Sequence, residues 1–390
     1  VDVERLSRAL GLTMEAEPVL ASRFVVHPWR PYWQLRDDLD RISRCAISTS
    51  MDAEQDGLRY LAGPLVPEQD AQIELKLLRG EKDVLCVKLN HMVTDGSGFL
   101  DYIALLSRTY RELEKNPGYR PDYAGTASRG QGQVLRHVGL RQLWRGGRAF
   151  RLPMSSWDLP AAGAECSGGA LLVRRLPATA LDVLKRYGRQ TSTSMNVLLH
   201  TAFFRALCTL LNAPCDRNLS VQTTVNLRQH LPSGHVSRIC NLAGIFFLNL
   251  PRISGEPFAA TLARVQTLFE QAREEQPWLG GAMGLEASLL AGFALAERIF
   301  QYHRKRMLSR GAIQPILANL GNIHSEKIDF GDNRISDLAI IGPIPCSPAA
   351  LVTVYTYEGS MSLTAGFTLA ATDATVMSRL MDLFVAELPL

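Results

Sequence analysis

The strongest constraint on this chain lies between residues 83 and 113. Asp83-Val84-Leu85-Cys86-Val87-Lys88-Leu89-Asn90 reads as a buried strand. It runs directly into His91-Met92-Val93-Thr94-Asp95-Gly96, after which Phe99, Leu100, Ile103, Leu106 and Tyr110 recur at helical spacing. The expected helix runs from about Ser97 to Leu113. A strand and a helix on either side fix the intervening turn, and the His91 ring is then able to project into a cleft. Gly96 is expected to permit the sharp turn. A neutral imidazole, with an ordinary pKa near ~6.5, takes a proton from a hydroxyl or amine at neutral pH, so His91 is the candidate general base. Asp95 is the candidate that orders the motif, by an ion pair or by accepting backbone N–H groups. On these six residues alone, a structural histidine at a strand end stays open as an alternative.

The rest of the chain limits what such a site serves. A length of 390 residues exceeds one ordinary core and fits two domains. Apolar content of 46% with 21% charged residues describes a globular chain. A net charge of +4 is too small to imply a nucleic-acid partner. The seven cysteines form no C-x-x-C pair and no metal-ligand spacing, which suggests reduced thiols, a cytoplasmic location and no metal. No apolar run reaches the ~20 residues that span a bilayer. Ala282 to Phe300 comes closest and is interrupted by Glu286, Glu297 and Arg298.

Periodicity divides the chain into residues 1–125, a connector at 126–168, and 169–390. In the first part it predicts a helix from Val1 to about Leu20 and a strand at Ala21–Val26. A short polar helix at Asp37–Arg44 and a strand at Gln72–Leu78, paired with 83–90, complete it. The connector is rich in Pro, Gly and Ser, and from Tyr123 to Trp157 it holds no acidic residue. Arg129, Arg136, Arg141, Arg145, Arg148 and Arg151 alternate there with Leu135, Val138, Leu143, Trp144 and Phe150. Three readings apply: a solvated face of a crossover helix, a contact with an anionic surface (a carrier protein, or a membrane at most peripherally), or a contact with phosphates.

In the last part, strands are expected at Ala170–Leu176, Arg217–Val225, Ala243–Leu250 (buried on both faces), Pro315–Leu320 and Leu338–Ile344. Leu351–Tyr357 and Met361–Leu369 should form a hairpin through Glu358-Gly359-Ser360. Helices are expected at Thr179–Arg189, Met195–Leu211 (capped by Ser192 or Thr193), Pro257–Glu274 and Ala282–Leu308, with a final one capped by Asp373. Small residues Gly284, Ala287, Ala291, Gly292 and Ala294 suit close helix packing or an acyl channel. His200 reads as packing.

His91-x-x-x-Asp95-Gly96 resembles the active-site motif of the condensation-domain and chloramphenicol-acetyltransferase-like acyltransferases. Other segments resemble family segments in the same order: "RALGLTMEAEPVLASRF", "TSTSMNVLLHTAFFRAL", the pair "VNLRQHLPSG" and "CNLAGIFFLNLPR", and Ala318-Asn319-Leu320-Gly321 in place of Ser-Asn-x-Gly. Asp329-Phe330-Gly331 matches half of the plant branch's Asp-Phe-Gly-Trp-Gly. Asn90 stands where many members have a first His, which argues against a typical peptide-bond-forming domain.

The resemblance implies an α+β fold of two chloramphenicol-acetyltransferase-like domains, with mixed sheets flanked by helices and a channel at their junction. It implies that the 243–250 strand crosses to the first domain, and that Asp95 pairs with an arginine, Arg23 and Arg30 being candidates. Arg228 and Asn319 are candidate substrate-binding residues. The implied activity is acyl transfer from a thioester of coenzyme A or phosphopantetheine to a small alcohol or amine, with His91 as base, no acyl-enzyme and no bound cofactor. A stand-alone alcohol acetyltransferase-like enzyme is the nearest match. A condensation-type domain acting on carrier-bound substrates and a non-catalytic carrier- or lipid-binding module are the alternatives, with an acyl carrier protein as a candidate partner.

Overall fold

The computed structural model describes residues 1–39, 45–123, 129–151, 157–158, 168–215, 218–233, 239–310, 312–345, 349–369 and 372–390. Helix Val3–Ala16 opens the chain, capped by Asp2, whose carboxylate accepts from Arg5 N at 3.0 Å. Leu6, Ala9, Leu10 and Met14 form its buried stripe and share a core with Tyr102, Leu106 and Tyr110 of helix Gly96–Lys115. Strand Ile73–Arg79 lies antiparallel to Val84–Leu89 and parallel to Cys45–Thr49. Cys45–Thr49 is mostly exposed and lacks the alternation that marks a strand in sequence. Helix Ala53–Ala62 was likewise not expected; Gly57 is its one fully buried residue, with Leu58, Leu61 and Ala62 partly buried. The helix expected at Asp37–Arg44 falls partly on residues 40–44, outside the described residues, and 37–39 are not helical.

The second half is built on a mixed sheet. Its strand order is Gly169–Arg175, Ser360–Thr368, Ala349–Tyr357, Ala312–Ile323, Asn218–Asn226, Ala243–Pro251, with Trp157–Asp158 paired to the start of Ala312–Ile323. Ala312–Ile323 is parallel to both of its long neighbours, and the other pairs are antiparallel. The 357–360 hairpin turns through Glu358 and Gly359, both at positive φ (45° and 77°), as tight two-residue hairpins require. Helix Met195–Leu210, apolar on nearly every side, is central to this half's core, which it shares with Leu184, Leu262, Leu380 and Phe384. Its cap is Ser194, one or two residues beyond the expected Ser192 or Thr193.

Four expectations are corrected. Ala243–Pro251 does not cross to the first half; it pairs with Asn218–Asn226 along its whole length, from Asn226↔Ala243 to Asn218↔Pro251. As the sheet's edge it buries Gly244, Phe246, Leu248 and Leu250 and leaves Ile245 and Phe247 half-exposed, so its apolar run does not mean burial on both faces. The crossing is made by other strands. Ile323, Tyr355 and Tyr357, at the ends of Ala312–Ile323 and Ala349–Tyr357, lie in the core of the first half beside Leu10 and Tyr110. Leu338–Ile344 forms no strand: Pro343 and Pro345 lack N–H groups, and Tyr355 and Thr364 instead donate side-chain hydroxyls to the Leu338 and Ile340 carbonyls at 2.8 Å. The 282–308 helix is two helices, Pro277–Leu290 and Phe293–Leu308, broken at Gly292 (φ 106°).

The connector contributes to a third core. Val134 and Val138 are buried there with Leu227, Leu242, Phe246 and Trp278. Helix Leu140–Ala149 touches Pro277–Leu290 backbone to backbone at Gly146 and Gly280. The tight contact therefore falls on those glycines, whereas a Cβ on Gly284 would meet nothing within 4 Å. No described helix is long and apolar enough to cross a membrane.

Candidate active site

The Val84–Leu89 strand ends at Asn90, whose side-chain oxygen accepts from Met92 N at 2.9 Å and tightens the turn that carries His91. Asp95 is 5% exposed and caps helix Gly96–Lys115, accepting from Gly98 N at 2.8 Å. Its remaining lone pairs reach across the molecule. Arg228 Nη1 donates to Oδ1 and Oδ2 at 2.9 and 2.7 Å, and Leu242 N donates to Oδ2 at 2.7 Å. Arg228 Nη2 donates to the Cys240 carbonyl at 2.7 Å. Asp95 is thus saturated by the protein and orders the junction between the two halves.

The arginine of this pair is therefore Arg228, not Arg23 or Arg30. Arg23 lies on the Ser22–Val25/Tyr32–Leu35 hairpin and donates to Gln34 opposite it, and Arg30 is exposed near the hairpin tip. Arg228, expected at substrate, is committed to Asp95 and Cys240. Gly96 is the first helical residue and has no positive φ; a Cβ there would come within 2.5 Å of Leu320 Cδ2. Close approach of the 319–321 bulge, and not the turn, is what a side chain at residue 96 would meet. Asn319 stands at that bulge, where its side-chain oxygen accepts from Gly321 N at 2.9 Å and its amide lies 3.5 Å from Asn196 Oδ1. The structure brings His91, Asp95, Gly96 and Arg228 together, and Asn319 lies one residue from the Leu320–Gly96 contact.

One site residue escaped the sequence reading. Asn241 Nδ2 lies 3.0 Å from the His91 carbonyl oxygen and 3.1 Å from His91 Nδ1, although the two residues are 150 apart in sequence. Its own side-chain oxygen accepts from Ala243 N at 3.2 Å, which fixes the amide orientation. The run Asn241-Leu242-Ala243-Gly244 was visible as the entry to a strand expected to cross to the first half, but nothing in it marked Asn241 as the partner of His91.

The His91 side chain keeps solvent access while protein surrounds it on most sides. That crowding removes water from the charged ring and lowers its pKa below the usual value; a bond to its own backbone and the Asp95 charge oppose this without cancelling it. The ring is thus held in its neutral form through and below neutral pH, as a base requires. Cys240 offers no nucleophile beside it, because burial pushes its thiol pKa up, with only partial relief from Arg228 and Arg129.

No protein-family model and no curated protein matches the sequence. Solved structures match over the whole chain. The first condensation domain of the CDA synthetase aligns at a TM-score of 0.67 and 17% identity, covering 99% of this chain and 86% of that one. SgcC5 from Streptomyces globisporus, in complex with a naphthyl-ethanediol and sucrose, aligns at 0.67 and 14%, covering 100% and 89%. The epimerization domain from the third module of tyrocidine synthetase B aligns at 0.64 and 13%, covering 100% and 88%. The chain has the two-lobed α+β fold of these condensation and epimerization domains. That fold carries more than one reaction, as the words condensation and epimerization make plain, so the reaction is argued from the site.

Proposed function

We propose that this protein transfers an acyl group from a phosphopantetheine-type thioester, on coenzyme A or a carrier protein, to a hydroxyl or amine, with His91 as general base. The observation that carries this reading is a neutral, solvent-reached imidazole at the junction of two halves, with one nitrogen held by the protein and the other free. Asn241 Nδ2 donates to the His91 carbonyl oxygen and lies 3.1 Å from Nδ1. The proposal takes the ring in the tautomer with its proton on Nδ1, so that Nε2 keeps its lone pair for the acceptor.

The acceptor's hydroxyl or amine gives its proton to Nε2 as its heteroatom bonds to the thioester carbon. The tetrahedral intermediate collapses, the C–S bond breaks, and the imidazolium returns the proton to the departing thiolate. Atoms and charges balance without a covalent enzyme intermediate. Asp95 and Arg228 keep the motif in place and touch no substrate. Asn319 is proposed to line the acceptor side through its amide.

Two features support the donor and acceptor classes. Arg136, Arg141, Arg145, Arg148 and Arg151 are all exposed on a segment without acidic residues, which suits the anionic phosphates or carrier of such a donor. The diol in the SgcC5 complex favours a hydroxyl acceptor. The test is thiol release from acyl-coenzyme A and acyl carrier protein donors with mixed alcohol and amine acceptors. His91→Ala should retain the fold and lose about 10²-fold or more of the acceptor-dependent rate. Equal release by both proteins would overturn the role of His91, and the active donor separates a coenzyme A enzyme from a carrier-dependent one.

A further inference from the structure

Helix Phe293–Leu308 is hardly packed: Ala296 is its one buried residue. At 100° per residue, Leu295, Ile299, Tyr302 and Arg306 follow one another along a single face, about a quarter-turn from Ala296. All four are exposed, the first three at 48%, 46% and 62%. Arg298 and Lys305 run along one border of that face and are also exposed. An outward apolar stripe edged with cations inverts the ordinary pattern of a surface helix.

The neighbouring elements extend the stripe. Leu290, at the end of the preceding helix, is 80% exposed. Trp29, at the tip of the Ser22–Val25/Tyr32–Leu35 hairpin, is 68% exposed, and Arg30 beside it is exposed too. The tip is fastened to the helix start: the Trp29 and Pro28 carbonyls accept from Phe293 N and Ala294 N at 3.3 and 2.9 Å. The Trp29 ring backs onto Gly292, where a Cβ would come within 3.2 Å of it. Two segments far apart in sequence thus present one apolar patch, with a tryptophan and a tyrosine among its aliphatic side chains. Between residues 289 and 310 the only acidic residue is Glu297.

We infer that this patch docks the protein onto a membrane surface bearing anionic headgroups. Exposed apolar surface of this kind marks an interaction site. A helix with Lys and Arg beside an apolar face lies in the plane of the lipid interface, and Trp and Tyr prefer that depth. The stripe sits on an unwalled helix and a hairpin tip, which insert into a soft interface. The connector helix Leu140–Ala149 is a weaker match, since its exposed face carries Leu140 and Trp144 among three arginines. The inference is independent of the reaction proposed above.

The experiment is flotation of the full chain with phosphatidylcholine vesicles, with and without phosphatidylglycerol, at low and high salt. The protein is expected to float with phosphatidylglycerol at low salt and to remain behind with phosphatidylcholine alone. The combined variant Leu295→Ser, Ile299→Ser, Tyr302→Ser, and separately Arg298→Glu, Lys305→Glu, Arg306→Glu, should each lower partitioning about tenfold or more. These side chains are exposed, so circular dichroism should be unchanged. A vesicle-induced blue shift in tryptophan fluorescence should diminish in Trp29→Phe. The inference is overturned if the wild type ignores anionic vesicles, or if both variants float as it does. It is also overturned if Arg141→Glu, Arg145→Glu, Arg148→Glu abolishes binding that the helix variants retain. A concentration-dependent dimer lost in the serine variant, with no vesicle binding, would assign the patch to a second copy.

Discussion

At the scale of single residues, the site separates holding from reacting. Asp95 and Arg228 are a buried pair, with side chains 6% and 12% exposed, and removing one charge strands the other. Asp95→Asn is expected to cost about 3–5 kcal/mol in chemical denaturation, because Arg228 is left without a counter-charge. Asn241, whose amide lies 3.1 Å from the His91 ring, is proposed to act on the chemistry itself. Asn241→Asp places a carboxylate where an amide now faces His91, which favours the protonated ring. The acid limb of the rate, expected below pH ~6.5 because the ring's pKa is depressed, should then move to higher pH. A pH–rate profile unchanged in this variant would show that Asn241 merely holds the loop. Of these residues, His91 and Asp95 were legible in sequence because strand, turn and helix adjoin. Asn241 and the true partner of Asp95 were not, since both depend on contacts 133 to 150 residues away.

At the scale of elements, strong periodicity was readable and weak burial was not. Helix Gly96–Lys115 carries an apolar pattern that matched its burial, and the hairpin of Ala349–Tyr357 with Ser360–Thr368 was readable as strands although its alternating Ser and Thr are buried too. Helix Ala53–Ala62 is short and only partly buried and was missed, while Leu338–Ile344 carried an apolar pattern in a segment whose prolines bar a ladder. Close packing was anticipated in the right helix pair region but at other glycines. On Gly280 a Cβ would meet the Gly146 carbonyl oxygen and lie 2.6 Å from Phe150 Cβ. Gly280→Ala should therefore destabilise the protein by about 1–3 kcal/mol despite alanine's better helix propensity. Hydrogen exchange should show faster opening of helix Leu140–Ala149 in that variant.

At the scale of the whole molecule, stability should depend on pH through His200. Its ring is buried in helix Met195–Leu210, donates from Nδ1 to the Asn196 carbonyl at 2.7 Å, and leaves Nε2 without a partner. Burial lowers its pKa to about 4. The unfolded chain takes up a proton near pH ~6.5, whereas the folded chain resists it until about 4. Folding stability therefore falls as pH drops between those values, by about 3 kcal/mol in all. His200→Leu should flatten that dependence in denaturation measured from pH 7 to 4. The two-half organisation was legible from length and element order. The route by which the halves join was not, because the strands that cross differ from the one expected to. That joining also sets an order in time. A ribosome delivers Val84–Leu89, His91 and helix Gly96–Lys115 long before Arg228 and Asn241. Until those arrive, Asp95 has no cation from the second half and His91 no amide against its ring. Under the proposed role of His91, a nascent chain carries that side chain early and completes the site only when its second half has been made, so an interrupted synthesis product is expected to be inactive.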